Sequence, residues 1–478
     1  MAGTPLRVVG YPAHAAIVLS MIMALALAPR WIPDLPMRSV EELHLRSAFD
    51  LLEGKRIDFG IITEDPRASL DSLLARGHEL PLMDPEGSLD GFFRLLQTAE
   101  AGAPGDPPAS TARPVAEPIH ILHYGDSPTT ADLITGDVRR RLQERFGNAG
   151  HGFSLVAPPW VWYQHQGVKL SAAGWNLVSP AIGRKGDGRY GLGGVSFEGQ
   201  PGAYSEVTLQ DASHTRVRAY FLKRPDGGTF SLEADGVLVA ETPTASANTE
   251  SGWQTYPIPA GTRKVLVRVQ TGAVRIFGLE FFNTRPGVIY SSLGLNGGST
   301  EVLSRHMEAR HWGEQLRAAH PKLVVINYGT NESVYKEYVA KQLEGELRKA
   351  VLRVREAVPE AAILIMSPMD RGVRSDKGNI QTAATIPQVV AIQQKVALEM
   401  KVAFFNTFAA MGGAGTMAKW YASNPRLVGG DYIHPMPAGA KLVGDLLFEG
   451  LEEQYRMFKL RELRRTLRRN AGGRVKHG

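Results

Sequence analysis

The chain has no cysteine, which excludes disulfide staples and thiolate metal sites and leaves the redox compartment open. It also lacks a His-Glu-x-x-His pair, and His306 and His311 are spaced badly for a shared helical metal site, so no catalytic metal is expected. There is no phosphate-cradling Gly-x4-Gly-Lys-Ser loop, no cofactor is implied, and no internal repeat is visible. Excess charge is scarce too, at +6 over 478 residues. Much of it lies in Arg456, Lys459, Arg461, Arg464, Arg465, Arg468, Arg469, Arg474 and Lys476, read as a solvated helix and frayed tail (456–478) before a nucleic-acid or anionic-surface patch, and no nucleic-acid partner is expected. What is present is ordinary for a globular protein: 43% hydrophobic and 21% charged residues, enough to bury cores in two or three domains.

Long apolar runs are confined to the start. Ala15 to Ala28 is apolar apart from Ser20 and follows a lone Arg7, so residues 1–35 read as an export signal or a single membrane anchor. A buried core helix is the plainer alternative, and the flanking Pro12, Pro29 and Pro33 fit it poorly. Residues 36–99 alternate charged and apolar positions as a helical lead-in, and 100–117, dominated by Ala, Gly and Pro, reads as a linker.

Beyond the linker the rhythm is strand, helix, strand. Ile119 to Tyr124 is an apolar run, and Ile134, Val138 and Leu142 fall on one helical face that ends near Gly147. The same rhythm resumes with strands at Leu323 to Asn327, Ala362 to Met366 and Val402 to Phe405, separated by helical stretches and followed by a helix from about Ala438. Short apolar strands between helices predict a parallel sheet covered on both faces. Between these stretches come short alternating strands, with Val265, Val267 and Val269 opposed to Lys264, Leu266 and Arg268, and Asp235-Gly236 as a hairpin signal. The predicted architecture is an α/β domain (118–157 and 286–455) of three layers about a parallel sheet, interrupted by an all-β sandwich at 158–285.

Four segments carry chemistry. Gly125-Asp126-Ser127 lies between a strand and a helix, where free backbone N–H groups can steady negative charge. Leu295-Asn296-Gly297-Gly298 and Tyr328-Gly329-Thr330-Asn331-Glu332 follow further strands, and Asp431-Tyr432-Ile433-His434 lies near the end. Ester cleavage needs a nucleophile, a base, a carboxylate that orients the base, and donors for the oxyanion. Ser127, His434 and Asp431 are the candidates for the first three roles. The Ser127 amide, the Gly297 amide and the Asn331 side chain are candidates for the oxyanion hole, with Gly294 competing for the glycine.

In this order the blocks resemble the SGNH (GDSL-type) hydrolases, whose motifs supply serine, glycine, asparagine and histidine. The stretch from Ala131-Asp132-Leu133 to Gly152-Phe153 and the Gly329-Thr330-Asn331-Glu332 block are similar to bacterial periplasmic peptidoglycan O-acetylesterases. That group carries a carbohydrate-binding-module-like β-sandwich inside the hydrolase domain. The resemblance spans roughly residues 119 to 455; Pro128 and Met369-Asp370-Arg371 depart from the group's pattern. It implies a flavodoxin-like hydrolase domain and an exported, periplasmic serine esterase acting on an O-acetylated polysaccharide. An O-acetyltransferase using the same residues, a glycan-binding protein on a hydrolase fold, and a lipase or thioesterase are the alternatives. Taken singly, each block has a plainer reading: Ser127 as a helix cap, His434 as a turn histidine, Asn331 as a loop residue, Gly297 as a flexible joint, Glu332 as structural. Trp160, Trp162, Trp175 and Trp253 fit either sandwich packing or a sugar-stacking surface.

Overall fold

The structure, a computed structural model, describes residues 80–100, 117–181 and 186–474, with side chains as far as 467. The leader at 1–35, the first part of the lead-in and nearly all of the linker lie outside the described residues. Among the described residues no helix is long and apolar enough to cross a membrane.

A seven-stranded sheet organises the α/β part. In chain order its strands are β1 (Leu82–Met83), β2 (Ile119–Gly125), β3 (Asn148–Gly150), β4 (Val288–Gly294), β5 (Leu323–Asn327), β6 (Ala362–Met366) and β7 (Ala403–Phe405). Their spatial order is β1-β7-β6-β5-β2-β4-β3. β2 lies inside the sheet, is buried along its whole length, and pairs in parallel with β4 and β5. The register places Gly125 level with Gly294 on one side and Asn327 on the other. The three loops that follow these residues therefore leave the same edge of the sheet side by side, which is where a parallel sheet places its ligands.

The sheet is mixed rather than wholly parallel. β1 runs antiparallel to β7, with Leu82 opposite Phe405. Two residues between Pro81 and the turn that begins at Asp84 carry too little periodicity to announce a strand, so the sequence places this edge inside the helical lead-in.

Alternation along the strands divides the core into two layers. Ile119, Ile121, Val325 and Leu364 face a cluster built with α1 (Asp90–Glu100), α3 (Leu133–Phe146) and α7 (Pro437–Arg474). Leu122, Tyr124, Val324, Ile326 and Ile365 face a second cluster with α4 (Ala309–Ala319), α5 (Leu343–Ala357) and α6 (Ile386–Glu399). The period of two along each strand thus produces a three-layer α/β/α arrangement. α7 runs unbroken past residue 456; Phe458 is fully buried. Lys459 pairs with Glu100, and Arg461 pairs with Asp90 of α1. These two cations of the basic stretch therefore dock the helix on α1, whereas the sequence suggests a solvated helix and tail.

The antiparallel part has nine strands. Val265, Val267 and Val269 are buried, and the chain turns at Asp235-Gly236, both with positive φ (49° and 82°), between Thr229–Ala234 and Val237–Pro243. Hydrogen bonding runs continuously through this part and does not divide into two separately bonded sheets. The long strand Ser196–Leu209 pairs with Val274–Phe282 at Phe197 to Gly199 and with Lys264–Thr271 at Tyr204 to Thr208. Gln200-Pro201-Gly202-Ala203 lies at the changeover, and Pro and Gly suit such a corner. This part shares its core with the α/β layer: the Tyr124 hydroxyl donates to the Leu192 carbonyl (3.0 Å) and accepts from the Trp312 indole (3.1 Å).

Six histidines are buried in these cores, and burial lowers the pKa of each. His123, His165 and His311 are pushed down to about 4, while His120, His151 and His214 are lowered in the same direction. A lowered histidine binds fewer protons folded than unfolded, so stability is full above the unfolded value near 6.5 and declines as pH falls from there towards the folded values. Each such histidine costs about 1.4 kcal/mol per pH unit inside its own window. The melting temperature should fall steeply between about pH 6.5 and 4.5, before most carboxylates titrate. His123→Asn and His165→Asn should flatten that slope, and thermal melts across this range test it.

Candidate active site

The serine turn differs in detail from a plain strand-to-helix junction. Ser127 opens a single helical turn, α2 (Ser127–Thr130), with Pro128 at its second position, still within the first turn, where a missing N–H costs no intrahelical bond. The chain then breaks at Asp132, which is left-handed (φ 53°), before α3 begins. The break has a cause. Asp132 is fully buried and accepts from Arg139, from the Thr135 hydroxyl at 2.6 Å and from the Gln166 amide at 2.9 Å, so its side chain fixes the corner.

Gly294 closes β4 against this turn. A Cβ there would stand 2.5 Å from the Thr130 nitrogen, so its role is close packing of α2 on the sheet. Gly297 differs: φ is +71° and a Cβ would meet nothing within 4 Å, leaving open space beside its backbone. Of the two glycines, only Gly297 borders free volume.

At the far end of the chain, Asp431 shapes the turn that carries His434. Its Oδ1 accepts from the amides of Ile433 (3.0 Å) and His434 (3.1 Å), and its Oδ2 meets His434 Nδ1 at 2.6 Å. Burial raises the Asp431 pKa, but the His434 hydrogen bond and the two amides outweigh it and hold the carboxyl below its ordinary value. An ionised carboxylate only accepts, so His434 Nδ1 is the protonated nitrogen and Nε2 is left as an acceptor. Nε2 lies 2.7 Å from Ser127 Oγ. The structure thus brings together the three side chains singled out in the sequence, although 307 positions separate Ser127 from His434.

The remaining predicted residues meet around a buried carboxylate. Asn331 Nδ2 donates to the Gly298 carbonyl at 2.8 Å, which ties the asparagine loop to the Gly297-Gly298 loop and leaves one amide hydrogen over. Beneath them Glu332 accepts from the amide and hydroxyl of Thr300, both at 2.8 Å, and from the Gly329 amide at 3.0 Å. One side chain therefore fastens both loops. Desolvation raises the Glu332 pKa despite these donors. Asp126 is buried next to it, pushed up to about 7 chiefly by desolvation, and its Oδ2 has no partner. The sequence marks Glu332 only as a structural residue; its part in holding two loops depends on Thr300, which lies 32 residues away.

The four tryptophans divide. The Trp175 indole donates to the Tyr204 carbonyl at 2.8 Å, and Trp160 packs edge-on to Tyr163. Trp162 and Trp253 stand exposed, at 62% and 43%.

A parallel-sheet edge that presents a serine hydroxyl, an imidazole oriented by a carboxylate, and nearby amide donors defines a serine hydrolase of carboxylic esters. Residues 269–442 match the GDSL-like Lipase/Acylhydrolase family. That stretch holds Gly297, Asn331, Asp431 and His434, so three of the four blocks gathered at the sheet edge lie within the match. Ser127 lies ahead of the matched stretch because the antiparallel strands separate the first block from the others. No curated protein matches the chain. Among solved structures, it is similar to a peptidoglycan O-acetylesterase with TM-score 0.65 and 24% identity, over 79% of this chain and 99% of that one. A family two carbohydrate esterase from Clostridium thermocellum, in complex with cellohexaose, gives TM-score 0.27 and 13% identity over 56% of this chain and 96% of that one.

Replacing Glu332 by Gln turns one acceptor into a donor that faces an amide or hydroxyl donor, at a cost of about 1–3 kcal/mol. Glu332→Gln should lower the melting temperature and reduce kcat on a small ester by about tenfold or more, through loosened oxyanion donors. Wild-type kcat in that variant would show that the two loops do not need the carboxylate.

Proposed function

We propose that the protein is an exported serine esterase that removes O-acetyl groups from a cell-wall or other bacterial polysaccharide. The observation that carries this is the relay from Ser127 Oγ through His434 Nε2 (2.7 Å) and Nδ1 to Asp431 (2.6 Å). His434 takes the hydroxyl proton as Ser127 Oγ attacks the acetyl carbonyl, and Asp431 stabilises the imidazolium. The Ser127 and Gly297 amides and the Asn331 side chain receive the oxyanion, each donor contributing about 2.7–4 kcal/mol to the barrier reduction. His434 returns the proton to the sugar oxygen as the C–O bond breaks, which frees the glycan. Water, deprotonated by His434, then hydrolyses the acetyl-enzyme to acetate.

The polysaccharide substrate is supported by the fold shared with a peptidoglycan O-acetylesterase and by the exposed Trp162 and Trp253, whose faces suit sugar rings. Export, either through a cleaved leader or on an uncleaved anchor, follows from the apolar run in residues 1–35. If a sugar hydroxyl intercepts the acetyl-enzyme in place of water, the same residues perform O-acetyl transfer.

Acetate release from O-acetylated peptidoglycan and from acetylated xylan, measured side by side, tests the reading. Ser127→Ala should reduce kcat by about 10⁴-fold or more, and Asp431→Asn by about 10²–10⁴-fold. Acetate release that survives Ser127→Ala at the wild-type rate would reject the mechanism. Transfer to an added sugar that exceeds acetate release would reassign the protein as a transferase.

A further inference from the structure

The turn that carries His434 is braced by a short hairpin, Gly372–Arg374 paired with Ile380–Thr382. The Gly372 amide donates to the Tyr432 carbonyl at 2.9 Å, and a Cβ on Gly372 would stand 2.7 Å from the Tyr432 Cβ, so hairpin and turn are in close contact. Tyr432 itself is left-handed (φ 60°), a conformation that needs support in a non-glycine residue.

Two arginines lie around this tyrosine, and a third precedes the hairpin strand that packs on it. Arg374 donates to the Tyr432 hydroxyl through Nε (2.9 Å) and Nη2 (2.5 Å) and lies over its ring. Arg426 sits 4.1 Å over Tyr421, which packs edge-on to Tyr432 at 4.8 Å. Arg371 precedes Gly372 and is half-buried. Among the described residues none of the three forms an ion pair with a carboxylate, and Arg371 has no hydrogen-bond acceptor for its side chain.

The nearby acids are committed elsewhere or exposed. Asp370 Oδ2 accepts from the Met417 amide and its Oδ1 is buried without a partner; Asp431 is held by His434; Asp376 is exposed at the hairpin tip. Burial alone shifts Arg371 downward, and no acidic neighbour offsets it. A guanidinium partly withdrawn from water without an acceptor is costly to the free protein, and its planar fork matches a carboxylate with two parallel N–H···O bonds.

We propose that Arg371, on the hairpin that also carries Arg374, forms a subsite for a carboxylate carried by the acetylated glycan, so that the preferred substrate is an acidic polysaccharide. The inference rests on the esterase reading of Ser127 and narrows its substrate class. The carboxylate belongs either to the sugar ring or to a peptide substituent; both present the same group. Tyr432 links the two functions, since it is two residues from His434 and is held by the same hairpin.

The test compares kcat/KM on an O-acetylated uronic-acid oligomer, its carboxyl-reduced neutral form and an O-acetylated peptide-bearing glycan. The wild type should favour one of the charged substrates over the neutral one by about tenfold or more, through KM. Which charged substrate is preferred identifies the carrier. Arg371→Ala should collapse that ratio, and Arg371→Lys, which keeps the charge and loses the fork, should recover part of it. Equal kcat/KM on charged and neutral substrates in the wild type, or an unchanged ratio in Arg371→Ala, overturns the subsite. Should Arg371→Ala lower the melting temperature, Arg374→Ala, at an exposed position of the same hairpin, provides the same comparison.

Calorimetric titration with galacturonate and with its methyl ester separates this claim from the esterase reading, because it needs no turnover. Tighter binding of the free acid, lost in Arg371→Ala, supports the subsite even if no glycan is deacetylated. Equal binding of acid and ester, or equally tight binding of inorganic phosphate, overturns the carboxylate assignment.

Discussion

The hydrogen bond between Ser127 Oγ and His434 Nε2 is the contact on which the rest of the site depends, and neither residue could form it without the sheet. β2 delivers the serine at its carboxyl end, and the turn between Val428 and Pro435 returns the histidine to it. The backbone bond from the Gly429 amide to the His434 carbonyl (2.8 Å) closes that turn, so the imidazole reaches the serine from a segment with little freedom. Positioning of this kind removes the entropy cost of assembling reactants from the chemical step.

Beneath the relay lie two buried carboxyls with different duties. Glu332 spends its oxygens on three donors from two loops, whereas Asp126 keeps one oxygen unpaired and is pushed up to about 7. Glu332 adds to the cost of ionising Asp126, after desolvation, as a neighbouring acid in a low dielectric does. Asp431, by contrast, stays below its ordinary value because His434 and two amides face it. Hydrogen-bond donors thus decide which carboxyl at this edge carries the charge that orients the imidazole.

Much of the site is legible in the sequence because each block is short, chemically distinctive and attached to an apolar strand. Ser127, Gly297, Asn331, Asp431 and His434 could be named in that way, and the apolar runs of β2 and β5, alternating with helical stretches, foretold the sheet beneath them. What the sequence hides are relations between loops. Glu332 reads as one more loop acid until Thr300 is placed against it. Arg371 stands in the sequence only as part of a departure from the group's pattern, and that its side chain pairs with none of the neighbouring acids shows only in the fold. The edge strand Leu82–Met83 is too brief to show periodicity, and the corner at Gln200 to Ala203 looks like an interruption although the strand continues through it. Asp132 is similar: nothing in the helical pattern marks it, yet it is a left-handed break on which Arg139 and Gln166 converge.

The central claim is that Ser127 is a nucleophile activated by His434, and labelling with a fluorophosphonate tests it most directly. Peptide mass mapping should find a single adduct on Ser127 in the wild type, with labelling strongly slowed in His434→Ala. An unlabelled Ser127 in folded protein, or labelling at the same rate without His434, would contradict the account.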